Sequence, residues 1–493
     1  MRAIGARRAA NATMTTLVFV HGWSVTSTAT YGQMPQRLQQ AAAAGGVALT
    51  LADIWLSEYV SFDDAVTMAD LVRAFDHALR DLHLQDASFA CVTHSFGGPV
   101  VREWLRAQRT QPGRHSTIRL THLVMLAPAN FGSALAQLGK GVLGRLKAWW
   151  HGVEPGQRLL DWLTLGSPAS LALNLDTIHG ADPAATGLYQ FVLTGDRPDR
   201  ALYDYLVPYT GEDGSDGVVR IAAANLNARH AVLRWDGKSD TGDIDELALQ
   251  VTRGPRFAFK IVADAAHSGS EHGILREAAP ATVADILRCL QVRSSGDYAS
   301  LTDAFDAENA QRDAHRVELE PADPFPARVH IHDPRSQLIV RISDDSGEAL
   351  AGAGFLLTAG PQASPDRMPP GFMLDRQVNA QHRATATLYL DHALLAGAGR
   401  VSHPDNSRKT LRPATPSHRP YGASVTPQDL GGLVHHALAR SIASDDLFAI
   451  LGPHQTTVLD VVLSRKIHAG VFRLTRNLTP EDFRRPVPGP VIG

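Results

Sequence analysis

Alternation between two residue patterns constrains this chain more than any other feature. Short β-branched and aromatic runs, "TTLVFVHGW", "ASFACVT", "RLTHLVMLAPAN", "GLYQFVLTGD" and "RFAFKIVAD", are separated by segments with helical spacing. In "FDDAVTMADLVRAFDHALRDLHL", Val66, Met68, Leu71, Val72, Phe75, Leu79 and Leu82 recur near helical spacing, the pattern of an amphipathic helix packed on a sheet. Strands alternating with helices predict an α/β fold with a mainly parallel central sheet, since parallel neighbours need a crossover and a helix supplies it. In such sheets reactive groups gather at the carboxyl ends of the strands.

The chain has 493 residues, more than one ordinary core accommodates, and it divides by composition. Residues 1–14 read as an N-terminal extension and residues 15–298 as the α/β domain. Within that domain, residues 131–188 form an insertion that concentrates Trp149, Trp150, Trp162 and many leucines in short helical pieces, as a cap over an apolar pocket would. Those tryptophans equally suit the core of the cap itself. Residues 299–325 are polar and Pro-containing and read as a linker. Residues 326–493 read as a β-rich, sandwich-like accessory domain. There "QLIVRISDDSGEALAGAGFLLTAG" suggests two strands joined by a turn, and "AGAGRVSHPDNSRKTLRPATPSHRPYGAS" a long, basic, exposed loop.

A net charge of −3 gives no electrostatic case for nucleic acid or for an acidic membrane surface, and no nucleic-acid partner is expected. The two cysteines, Cys91 and Cys289, lie far apart in sequence; no disulfide framework is expected and a reducing, cytoplasmic setting is the default. No uninterrupted apolar run approaches the length of a spanning helix, and the N-terminal stretch has no apolar segment of the secretory kind, leaving signal-independent export as the alternative route.

The chemistry centres on "CVTHSFGGPVVREWL", a buried strand, a serine and a helix in immediate succession. A serine hydroxyl is a weak nucleophile and needs an imidazole to take its proton and an anion to orient that imidazole. Presented on a tight turn, Ser95 needs small neighbours two residues before and after it. Gly97 meets that need on one side and Thr93 brings a Cβ on the other. His94, adjacent on the strand, should point to the opposite face and act structurally. "VFVHGWS" ends the first strand with His21, Gly22 and Trp23, where a backbone N–H near Gly22 would face an oxyanion; the second donor would be the N–H of Phe96, at the start of the helix.

An acid and then a base should follow the serine in the chain. "GEDGSDGVVRIAAANL" offers Asp216, with Asp196 and Asp213 as rivals. "ADAAHSGSEHGILREAAP" offers two histidines; His272, immediately before "GILRE", fits a base at a helix entrance, and His267 remains its alternative. "RVHIHD" places His330 and His332 on one strand face near Asp333, too few ligands for a metal site to be expected.

Residues 15–290 resemble the lipase and esterase branch of the α/β-hydrolase superfamily. The resemblance rests on "THSFGG", "HGW", "LAPANFGS" and "SDGVV" in that order. It implies a serine carboxylic-ester hydrolase acting through Ser95, Asp216 and His272 and an acyl-enzyme, with an ester or lipid substrate and no cofactor. Acyl transfer on the same triad, and a non-catalytic scaffold whose β domain binds a partner, are the competing readings. Membrane-surface contact would come through the cap, and the protein partner of the β domain is not indicated. Some lipases hold a structural calcium near the acid loop, where Glu212 and Asp213 stand in this chain. A looser similarity is to lipase effectors exported by contact-dependent bacterial secretion.

Overall fold

The computed structural model describes residues 15–21, 31–45, 47–61, 63–110, 118–138, 156–198, 212–236, 246–268, 272–275, 280–314, 317–322, 325–426, 434–436, 442–443 and 446–467. Up to residue 262 these contain strands β1 (Thr15–His21), β2 (Leu49–Trp55), β3 (Phe89–His94), β4 (Leu120–Leu126), β5 (Tyr189–Gly195), β6 (Arg229–Asp236), β7 (Glu246–Arg253) and β8 (Ala258–Val262). Six of them form one sheet in the order β2-β1-β3-β4-β5-β8, parallel throughout. β3 and β5 are buried along their whole length, whereas β2 is exposed at Thr50 and Asp53.

Helices α1 (Met34–Ala44), α2 (Leu56–Tyr59), α3 (Met68–Asp81) and α4 (Gly97–Thr110) follow the first three strands. α3 starts where the Thr67 N–H donates to Asp70 Oδ2 at 2.9 Å, satisfying a donor at its N-terminus. α1 and the helix Pro280–Leu290 contribute Met34, Leu38, Ile286 and Leu290 to one core with Leu17, Phe19, Val92 and Val124 of the sheet.

The stretch expected as a linker contains most of a helix, Ser295–Ala314, belonging to this first unit. Its inner face is Tyr298, Thr302, Phe305 and Asn309, half polar, which hides its amphipathicity from a hydropathy pattern. The polar members satisfy the sheet edge. Asn309 Oδ1 accepts the Ile261 N–H at 2.9 Å and its Nδ2 donates to Phe259 O at 2.8 Å, so one side chain satisfies both polar groups that a neighbouring strand would otherwise take.

The first unit comprises residues 1–227 and 255–332, the second residues 228–254 and 333–493. Residues 228–254, inside the bounds expected for the α/β domain, carry the hairpin β6–β7 and belong to the second unit. There a mixed sheet runs in the order Met373–Val378, Thr385–Asp391, Arg335–Asp344, Gln455–Leu463, β6, β7. A three-stranded sheet of Gly354–Ala359, Tyr421–Thr426 and Ile442–Ala443 shares its core, Leu338, Val340, Phe355, Leu357, Ala423 and Leu459 among others. The β-rich, sandwich-like expectation agrees with this. The two strands expected as a hairpin instead lie in different sheets, and the expected basic loop contains an antiparallel pair, Val401–His403 with Asn406–Arg412. Among the described residues no helix is long and apolar enough to cross a membrane.

Candidate active site

Ser95 follows β3 directly and has φ of 53°, a left-handed backbone unusual for a residue with a Cβ. Its N–H donates to Leu126 O at 2.9 Å, and its carbonyl accepts from the Gly98 N–H at 3.3 Å. A Cβ at Gly97 would lie 3.3 Å from Val20 O and 3.5 Å from Thr93 Cβ. The two positions flanking the serine therefore share one space, and the glycine on one side makes room for the threonine on the other. Thr93 is fully buried and its Oγ1 has no hydrogen-bond partner among the described residues.

His267 Nε2 stands 3.0 Å from Ser95 Oγ, and His267 Nδ1 stands 2.9 Å from Asp216 Oδ2. A carboxylate only accepts, so Nδ1 carries the proton and Nε2 is left to accept from the serine hydroxyl. The other oxygen, Asp216 Oδ1, accepts the N–H groups of Val218 at 3.0 Å and Val219 at 2.8 Å. Gly217, at φ of 93°, makes the turn that aims those groups. The loop is braced from within, where Arg220, 2% exposed, donates from Nε and Nη2 to the two oxygens of Glu212 at 2.8 and 3.0 Å. From outside, Ser133 Oγ donates to Val218 O at 2.6 Å.

The backbone also fixes the imidazole, since the His267 N–H donates to Asp216 O at 2.9 Å. His94 Nε2 donates to His267 O at 3.0 Å, and the two rings lie 4.8 Å apart. His94 thus braces the backbone of His267.

His272, the first expectation for the base, lies elsewhere. The loop closes on itself through Ala266 N–H to His272 O and Ile274 N–H to Ala266 O, both 2.8 Å, and the His272 ring turns to Asp264, 3.2 Å away. Asp196 is engaged by Arg312, whose Nε donates to Oδ2 at 2.7 Å, and accepts the Asp264 N–H at 2.8 Å. Asp213 pairs loosely with His330 at 3.8 Å, and His332 bonds Glu318 at 2.7 Å. Among the described residues no three His, Cys, Asp or Glu side chains cluster as a metal site.

Phe96, 3% exposed, opens the turn into α4, and Trp162 of the cap helix Gln157–Leu163 packs edge-on against it at 5.2 Å. Gly22, Trp149 and Trp150 lie outside the described residues. A buried polar network, invisible to motif reading, ties the parts together. Arg102 of α4 donates to Asn130 Oδ1, Asn174 Oδ1 and Thr177 Oγ1 at 2.8–3.0 Å, and Asn130 Nδ2 donates to Ala224 O at 2.7 Å. Burial pulls the Arg102 pKa down to about 9.

Phospholipase PlaB from Legionella pneumophila shares this structure with a TM-score of 0.82 and 37% identity, over 94% of this chain and 97% of its own. The chain belongs to the phospholipase PlaB family. PlaB in complex with thio-NAD matches with a TM-score of 0.80 at the same identity, over 95% of this chain and 97% of that one. No family model matches the chain, and no curated protein does. Membership makes the chain an α/β-hydrolase of the lipase and esterase branch and a serine ester hydrolase, in agreement with the motifs of its first 290 residues. It also extends the relationship past those motifs, because the match spans nearly the whole chain, including most of the β-rich second unit.

Proposed function

We propose that this chain hydrolyses the carboxylic-ester bonds of phospholipids through Ser95, His267 and Asp216. The carrying observation is the hydrogen-bonded sequence from Ser95 Oγ through both nitrogens of His267 to Asp216, on a left-handed serine at the end of a parallel strand. The phospholipid class comes from kinship with PlaB, a phospholipase.

In this mechanism His267 Nε2 takes the Ser95 proton as Oγ attacks the ester carbonyl, and Asp216 holds the imidazolium so formed. The Phe96 N–H, at the positive end of α4, donates to the developing oxyanion, and the Gly22 segment supplies the second donor. The imidazolium returns its proton to the leaving alcohol. Water, deprotonated by the same nitrogen, then releases the fatty acid and regenerates Ser95.

The test is fatty-acid release from phospholipid vesicles by the wild type and by Ser95→Ala, together with labelling by a fluorophosphonate probe. Loss of turnover by at least three orders of magnitude and loss of labelling in a folded Ser95→Ala are expected. Equal release by the purified variant would overturn the assignment; release from simple esters but not from any phospholipid would overturn the substrate class.

A further inference from the structure

Residues 400–412 of the second unit hold four cationic side chains, Arg400, Arg408, Lys409 and Arg412, against one carboxylate, Asp405. With histidine neutral that is a local charge of +3, in a chain whose net charge is −3. The stretch forms the antiparallel pair Val401–His403 with Asn406–Arg412, and its stem is fixed. The Thr415 N–H donates to Ala398 O at 2.8 Å, and Arg412 Nη2 donates at 3.2 Å to Oδ1 of Asp333, itself only 3% exposed. Arg412 is therefore an anchor whose charge is already met.

The other three cations are presented differently. Arg400, Arg408 and Lys409 are exposed, and none of them pairs with a carboxylate among the described residues. Arg400 Nη2 donates to Ser407 O at 3.1 Å and to Arg408 O at 3.3 Å. Its guanidinium thus lies against the backbone from which the Arg408 and Lys409 side chains leave, and three like charges gather on one short stretch at a Coulombic cost that an anion recovers. Exposed arginines elsewhere are met differently: Arg73, Arg109 and Arg256 each pair with an aspartate.

Lysine and arginine on free sheet edges guard against pairing with another chain. Single charges of either sign serve that purpose, so it does not account for three of one sign drawn together. Val401 and Leu411 are half-buried and the stretch has no Phe, Tyr or Trp, so the hairpin has neither an apolar tip to insert nor a ring on which a nucleic-acid base would stack. Its chemistry suits an anionic surface met through point charges.

We propose that the hairpin of residues 400–412 docks the chain on bilayers containing anionic phospholipid, through Arg400, Arg408 and Lys409. The choice of lipid as partner rests on the phospholipase reading, whereas the test reads docking alone: full-length Ser95→Ala, which has no nucleophile, is sedimented with vesicles at low ionic strength. Vesicles of equimolar phosphatidylcholine and phosphatidylglycerol should bind it, vesicles of phosphatidylcholine alone should bind it at least about tenfold less, and added salt should release it. A basic residue near an acidic bilayer adds about fivefold in partitioning, so Arg400→Gln, Arg408→Gln and Lys409→Gln together should weaken binding about 100-fold. Arg73→Gln, Arg80→Gln and Arg109→Gln together remove the same net charge from the first unit and should weaken it less than about threefold.

No binding to the anionic vesicles, equal binding to both kinds of vesicle, or binding that survives the hairpin substitutions overturns the proposal. An equal loss in the first-unit variant also overturns it, because net charge alone would then be read. Tighter, hairpin-dependent binding to a single-stranded oligonucleotide would give the patch to a different polyanion and overturn the lipid assignment. In case the hairpin variant does not fold, the native hairpin supplies a second reading. Anionic vesicles should protect Arg400 and Arg408 from phenylglyoxal modification, followed by mass spectrometry, and unchanged modification would refute docking through this hairpin.

Discussion

Replacing Asp216 by asparagine tests the acid assignment with almost no change in shape. Asp216 Oδ1 accepts two backbone N–H groups and Oδ2 accepts from His267 Nδ1. Asparagine has one acceptor end and one donor end. If its oxygen keeps the Val218 and Val219 N–H bonds, its NH2 faces Nδ1 and forces the proton onto Nε2. The imidazole then presents a proton to Ser95 and cannot take one. The reverse orientation sets NH2 against two N–H donors in a fully buried place, sacrificing two hydrogen bonds at roughly 1–3 kcal/mol each, so the disabling orientation prevails. The expected loss in kcat is about 10⁴-fold, or about 5.5 kcal/mol of transition-state stabilisation, with KM for a soluble chromogenic ester little changed. Asp213→Asn and Asp196→Asn, measured per folded molecule, should lose less than tenfold. The reasoning is refuted if Asp216→Asn keeps more than a tenth of wild-type turnover while its circular dichroism is native, or if either rival matches its loss.

Four further outcomes follow from the same geometry. His267→Ala should reduce ester turnover at least 10³-fold and His272→Ala less than about threefold, read in one steady-state assay. Thr93→Val replaces a buried, unpartnered hydroxyl by a methyl of similar size and should raise the stability of the first unit by about 1 kcal/mol in thermal melts, with kcat unchanged. Glu212→Gln removes the charge that the buried Arg220 guanidinium grips through Nε and Nη2 and should destabilise the acid loop by about 3 kcal/mol, visible as faster hydrogen exchange over residues 212–220 and lower turnover. Burial lowers the His392 pKa from 6.5 to about 4. Its unfolded form therefore takes up a proton first; the stabilisation is complete above pH 6.5 and is lost as pH falls through that window to about 4, up to about 3 kcal/mol. His392→Gln should flatten acid unfolding of the second unit over that range, and an unchanged profile would remove His392 from the explanation.

Much of the site was legible because its chemistry is local. A buried strand, Ser95 and a glycine-led helix stand within a few residues, and "SDGVV" carries both the carboxylate and the two N–H groups that orient it. His267 was harder, because spacing alone cannot show that the loop after it folds back and turns His272 toward Asp264. Thr93 brings a Cβ beside the serine, and the space it shares with Gly97 is a tertiary contact that no spacing in the chain shows. β2 escaped notice because Asp53 interrupts its apolar run, and the helix Ser295–Ala314 because Thr302 and Asn309 occupy positions where apolar residues would have announced it. The network around Arg102 had no sequence signature at all, since its members are scattered along the chain from Arg102 through Asn130 and Asn174 to Ala224.

The excursion of residues 228–254 separates Asp216 from His267 in the chain, and its strand β6 pairs with Gln455–Leu463, made more than 200 residues later. During synthesis the ribosome thus delivers Ser95, Asp216 and His267 well before β6 can meet its partner strand. A nascent chain stopped near residue 300 holds Ser95, Asp216 and His267, the proposed triad, yet carries between the last two a hairpin whose β6 edge still lacks its partner strand. Activity should consequently appear late in translation, once residue 463 has cleared the exit tunnel, and the protein should resist division into a separately working hydrolase by cutting at any one point.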